Sequence, residues 1–358
     1  MKKGENRVRR LNITKMICAL ASSIMLVGLV AGCGSGTADS DSAKGDKSSD
    51  LPAKVVIGTQ EMPNDEGIAK AEGYFEEEFG VPVEIKSFDS GKDVVTALAA
   101  KSIDFGLAGS CPAALAISQN LGVEVIWIHD VLGAAETLVA RGESGVKTVA
   151  DLKGKTIATP FASTAHFSLL HALENAGIAE KEVTLLDMQP SEIYAAWQNG
   201  QIDATYVWDP ILSSLEDATI ICDSGDMAEA GYMTSNLEMV GADFAKNYPE
   251  LVSAYIKAVA KAVDMYQSDQ DAAIGVISKY LELDKEAAAI QMAGSIWLSP
   301  TEQITAEYFG TSEEEGVLAK NIYDTAVFLK EQGSITDVPD MSVFEEAVNG
   351  SYVEAVAK

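Results

Sequence analysis

The sequence predicts two α/β lobes facing one another across a cleft, joined by two crossings and followed by a helical tail. Three observations lead there. Residues 54–87 read strand, loop, helix, strand, and residues 155–189 repeat that plan. Each copy is then followed by a helix, an Ile-Asp pair, a strand, a turn and a proline. In the first copy these are Ile103-Asp104, 105–108 and Pro112; in the second, Ile202-Asp203, 204–208 and Pro210. Beyond Asp243 the pattern is almost entirely helical. Parallel α/β sheets place ligands beyond the carboxyl ends of their strands, so the strand-to-helix turns of both lobes are expected to converge on one small ligand.

The chain of 358 residues opens on a secretory signal, residues 1–32. Lys2, Lys3, Arg7, Arg9, Arg10 and Lys15 precede an apolar run, 16–31, that is too short for a membrane span. Arg9-Arg10 leaves the twin-arginine export route open beside the general one. The run ends Leu29-Val30-Ala31-Gly32-Cys33, which looks like a bacterial lipobox and implies lipidation of Cys33. Residues 33–50, rich in Gly, Ser and Asp, read as a flexible tether. The expected place is therefore the extracytoplasmic face of the cell membrane, lipid-anchored.

Lobe one, 51–138, starts with a strand at 55–59 and a helix at 65–79 whose Ile68, Ala69 and Ala71 pack inward. A strand with alternating Val81, Val83 and Ile85 follows. Further strands are expected at 105–108 and 123–128, with Pro112 near the first turn of the helix between them. Residues 136–141 read as an extended crossing into lobe two, 139–235. There 155–160 is a strand rich in β-branched residues. Ser163 and Thr164 sit where a helix start needs a hydroxyl cap, and Gly177 ends that helix. Trp197 and Tyr206 read as core. Residues 236–240 read as the crossing back, and 236–358 return to lobe one and the tail. In that tail Leu251, Tyr255, Ala258, Val259 and Val263 line one helix face; Ile322, Ala326 and Phe328 line another.

A formal net charge of −28 argues against nucleic acid as a partner. Cys111 and Cys222 fall in different lobes of the repeat and are expected to stay unpaired. His129, His166 and His171 form no metal motif, and GxSxG and phosphate-loop patterns are lacking. No metal or cofactor is expected, and no enzyme activity.

Three stretches carry a resemblance: FDSGKDVVTALAAKSIDFG from Phe88, PFASTAHFSLLHAL from Pro160 and AAWQNGQIDATYVWDP from Ala195. Together with ADLKGKTIA from Ala150, they resemble the taurine-binding proteins of ABC transporters, within the aliphatic-sulfonate and nitrate-type solute-binding proteins. The resemblance covers residue 54 to about 333. It implies a two-lobed periplasmic-binding-protein-like fold of type II, with a two-crossing hinge. It also implies a monomer that captures taurine or a related small sulfonate and hands it to ABC permease and ATPase subunits. Another solute on the same fold (an alkanesulfonate, nitrate or a thiamine-pyrimidine precursor) stays open, as does an enzyme.

Taurine carries a sulfonate and an ammonium. The donors expected for the sulfonate are Ser110, Ser163, Thr164 and His166, with helix-start N–H groups. Glu136 and Asp209 would accept from the ammonium, Trp208 would form a wall, and Gln60 could serve either end. Cys111 stands where the family often has a second serine, the turn 61–66 departs from the pattern, and Glu238 replaces an aromatic residue. Glu238 is therefore expected near the second crossing, favouring a cationic ligand.

Overall fold

The computed structural model describes residues 51–358. The expected signal, the tether and Cys33 lie outside the described residues. In chain order the strands are β1 (Val55–Thr59), β2 (Val83–Ser87), β3 (Phe105–Gly109), β4 (Val123–Leu132), β5 (Glu136–Arg141), β6 (Thr156–Thr159), β7 (Thr184–Asp187), β8 (Ala204–Trp208), β9 (Ala218–Asp223), β10 (Ser235–Gly241) and β11 (Ser295–Ile296). They form two sheets. The sheet of lobe one runs β11-β4-β10-β3-β1-β2, and that of lobe two runs β7-β6-β8-β5-β9.

The sequence repeat is a repeat of topology. In lobe one β1 lies parallel between β2 and β3, and β10 joins β3 antiparallel. In lobe two β6 lies parallel between β7 and β8, and β5 joins β8 antiparallel. The Ile-Asp pairs explain themselves here. Asp104 Oδ2 accepts from Val56 N at 2.8 Å, and Asp203 Oδ2 accepts from Thr156 N at 2.9 Å. Each aspartate ties off the start of the first strand of its repeat, while Ile103 and Ile202 are buried. β1 is buried along its whole length, as a strand covered on both faces must be.

The expected crossings need correction. Residues 136–141 are β5, paired on both sides within lobe two, and Ser235–Gly241 is β10, central in lobe one. The boundaries expected after residues 138 and 235 therefore fall inside strands. The chain passes between the sheets at residues 133–135 and 230–234. The two passages are tied at their lobe-one ends by Leu132 N donating to Thr234 O at 3.0 Å. Extended chain at a lobe boundary looks the same in sequence whether it crosses or pairs.

The helix expected over 65–79 is two, Asp65–Glu72 and Tyr74–Phe79. Gly73 between them has φ 74°, a left-handed conformation open to glycine, and its N–H caps the first helix. In the tail, the Pro249–Ser268 helix buries Leu251, Tyr255, Val259 and Val263 against lobe one. Tyr255 stacks between Phe75 and Phe105, with ring centroids at 5.1 and 4.7 Å. The Leu318–Glu331 helix also reaches lobe two. Its Phe328 ring lies 4.9 Å from Phe167 and 4.7 Å from His171. No helix among the described residues is long and apolar enough to cross a membrane.

Candidate functional site

The lobes meet at the helix starts. A Cβ on Gly109 would lie 2.7 Å from Thr164 Cγ2, so glycine is what allows β3 of lobe one to approach the Thr164–Asn175 helix of lobe two. Ser191 Oγ also donates across the gap to Asp89 Oδ2 at 2.8 Å. Between these contacts lies a cavity of ≈ 40 Å³ lined from both lobes. One water needs roughly 10–15 Å³, so the space suits a solute of a few heavy atoms.

Of the residues expected at the site, Gln60, Glu136, Ser163, Thr164, Trp208 and Asp209 line this cavity. Sequence reasoning missed Asp130 and Asn236, which line it too. Among the described residues of the wall, three are carboxylates and none is Lys, Arg or His. Glu136 opens β5. Its Oε2 accepts from Thr164 Oγ1 at 2.5 Å, and its Oε1 from Ser224 Oγ at 2.7 Å. Burial pushes its carboxyl up to about 7, against the pull of those two hydroxyls. Asp130, near the end of β4, accepts from Asn236 Nδ2 at 3.0 Å. Burial first, then the charges of Asp65 and Glu136, raise it to about 7, while His129 and Asn236 oppose. Asp209 is raised by burial too, though Ser213 donates to it through both backbone and hydroxyl.

Two helix N-termini face the same region. The Ser110–Ser118 helix follows β3, and the Thr164–Asn175 helix is capped by Ser163, whose Oγ accepts from His166 N at 3.1 Å. The first N–H groups of a helix have no acceptor within it and carry the positive end of the dipole. Ser110 Oγ is buried and has no hydrogen-bond partner.

The structure does not place Ser110, Cys111 or His166 on the cavity wall. Cys111 packs among lobe-two side chains such as Ala165 and Leu169. Both Cys111 and Cys222 are free thiols. The His166 ring stacks on Phe161 at 4.4 Å, and its Nδ1 accepts from Ala162 N at 3.3 Å. Burial brings that imidazole down to about 4, with Asp187 opposing, so it is neutral near pH 7.

Glu238 also departs from expectation. It lies behind the cavity, in a sealed group with Asp65, Glu66, His129 and Tyr255, all fully buried. His129 Nδ1 is 2.6 Å from Asp65 Oδ1, and its Nε2 is 2.9 Å from Glu238 Oε2. Burial opposes the imidazolium, but the two carboxylates outweigh it and raise His129 well above its usual range. Trp127 Nε1 donates to Asp65 at 2.7 Å. Tyr255 OH lies 2.9 Å from Glu66 Oε1 and 2.8 Å from Glu238 Oε2. A phenol has one proton, so one of these contacts needs a carboxyl proton. Burial raises both Glu66 and Glu238, the latter to about 8. Glu66, His129 and Glu238 offer atoms within 4.8 Å of one another that could hold a metal ion. Both ring nitrogens of His129 are already bonded, so an ion would have to displace one of those bonds, whereas Glu238 Oε1 has no partner.

A family profile described as "NMT1/THI5 like" matches residues 67–273. The taurine-binding periplasmic protein of Escherichia coli K12 is 36% identical over 294 residues, 79% of this chain and 88% of that protein. The chain belongs to the NMT1/THI5-like family. Its fold is that of the alkanesulfonate-binding protein SsuA from Xanthomonas axonopodis pv. citri bound to MOPS. The TM-score is 0.69 at 24% identity, covering 84% of this chain and 99% of that one. The desulfurization enzyme DSZB shares the fold as well, with a TM-score of 0.60 at 14% identity over 86% and 99% of the two chains. The fold thus admits binders and an enzyme alike.

Proposed function

We propose that this chain is the extracytoplasmic solute-binding subunit of an ABC importer and that it captures taurine or a related small aminosulfonate. One observation carries the reading. A small cavity closed between two lobes joins helix N-termini to buried carboxylates, without a basic side chain among its described lining residues. A plain anion would suit the helix starts but face the carboxylates. A plain cation would do the reverse. A zwitterion satisfies both. The similarity to a taurine-binding protein agrees in ligand class. Because Thr164 already gives its hydroxyl proton to Glu136, the sulfonate falls to backbone N–H groups at the two helix starts, with Ser110 Oγ behind them.

We read the site as binding without chemistry. The similarity to solute-binding proteins supports that reading. Delivery to a permease and ATPase, and action as a monomer, belong to the same proposal. Calorimetric titration tests the ligand class. Taurine should bind, and Glu136→Gln should weaken it about tenfold, since a charged hydrogen bond is worth roughly 1.5–3 kcal/mol. Ethanesulfonate, which lacks the ammonium, should be affected far less. Tight binding of nitrate or a pyrimidine in place of taurine would move the assignment to those solutes.

We also propose that Cys33 carries a lipid that holds the body at the membrane through the tether. Metabolic labelling with a fatty acid should mark the wild type and leave Cys33→Ala unlabelled. Labelling that persists in the variant would remove the anchor from this account.

A further inference from the structure

Asp130 has a geometry that the ligand reading above does not use. It comes from lobe one, three residues before the chain crosses, whereas Glu136 comes from lobe two just after it. Both line the same cavity. Asp130 is 4% exposed, and Asn236 fixes its Oδ1 from the neighbouring strand β10. Among the described residues no side chain or backbone N–H donates to its Oδ2. The charged groups around it are Asp65, His129 and Glu136. His129 is committed at both ring nitrogens, to Asp65 and Glu238. The protein therefore sets these two of the cavity's three acids in opposite lobes, and spends its nearest cation elsewhere. Two buried carboxylates repel unless a proton or a cation lies between them.

We propose that Asp130 and Glu136 together form a two-sided seat for the ligand's cationic group, bridging the lobes across the first crossing. Asn236 is the positioning residue that holds Asp130 toward the seat. This rests on the zwitterion reading and narrows it. The ligand class becomes one whose cation has several N–H donors, as a primary ammonium has, so that one group can bond both carboxylates. Asp130 is then a determinant of specificity. It rejects plain alkanesulfonates by leaving two acids facing each other, and it links cation binding to the approach of the lobes.

The test is titration of wild type and Asp130→Asn with taurine, ethanesulfonate and β-alanine, which keeps the ammonium but replaces the sulfonate. Taurine should weaken about tenfold or more in the variant, the size of a lost charged hydrogen bond. Ethanesulfonate should hold its affinity or gain. Equal losses for both sulfonates would overturn the seat and make Asp130 a shaper of the cavity; an unchanged taurine affinity would overturn it outright. Should wild type bind β-alanine alone, with the same dependence on Asp130, the sulfonate reading fails while the seat stands. Binding of none of the three to wild type overturns both. Asp130→Ser serves as a second neutral variant, and failure of both to fold would assign Asp130 to the core.

Discussion

Two groups of buried acids, one sealed within lobe one and one on the cavity between the lobes, are satisfied in opposite ways. The sealed group of Asp65, Glu66 and Glu238 brings its own cation, His129, and its own hydroxyl donor, Tyr255. The cavity group of Asp130, Glu136 and Asp209 has hydroxyls and an amide for partners and no basic residue beside it among the described lining. A buried charge must be paired or neutralised. The first group does this within the chain and contributes to the core. On the proposed reading, the second holds protons when the site is free and exchanges them for a ligand's cation. Burial and acidity are alike in the two places; what separates scaffold from site is whether the protein supplies the counter-charge.

That contrast has its largest consequence in stability. His129→Ala would strand Asp65 and Glu238 without their cation, and breaking a buried charged pair costs about 3–5 kcal/mol. The midpoint of urea unfolding should fall accordingly. Glu136→Gln removes an acid that burial already disfavours as a charge. It should move stability of the free protein by only about 1 kcal/mol, in either direction. Comparable losses in the two variants would erase the distinction between a paired and a waiting cluster.

Much of this was legible in the sequence and part was not, for identifiable reasons. The duplicated strand-helix plan and the Ile-Asp pairs gave the two sheets, because both copies solve the same local problem at the first strand. Gln60, Glu136, Ser163, Thr164, Trp208 and Asp209 were found because they sit at strand ends or helix starts, where an α/β fold puts its ligand. Asp130 was missed because β4 runs on to Leu132, past the strand expected at 123–128, and Asn236 because 236–240 read as a crossing. Period-two counting would put Asn236 and Glu238 on one face of β10. In the structure Asn236 pairs with Asp130 and Leu237 with Ile128, so His129 is an extra residue on β4. That bulge lies on β4, while β10 keeps an unbroken register with β3. Asn236 sits at the cavity end of β10, and Glu238, two residues deeper in the sheet, meets His129, which is why an acid expected to read the ligand proved to be part of the core.

The central claim is that the cavity acids exchange protons for a ligand's cation, and pH tests it directly. Glu136 and Asp130 are raised to about 7 from ordinary values of 4.5 and 3.8. Their contribution to stability is therefore complete below about pH 4 and is lost as pH rises through about 7. Over that window the ionised pair gains most from an ammonium, which stays charged well above it. Glu238 also titrates nearby, at about 8, but it acts alike on any ligand and cancels in a ratio. The measurement is the affinity of taurine and of ethanesulfonate between pH 5.5 and about 8, by calorimetry at fixed ionic strength. Taurine should tighten as pH rises, by up to about tenfold per pH unit for each proton released, while ethanesulfonate weakens. Parallel pH dependence of the two affinities would contradict the account.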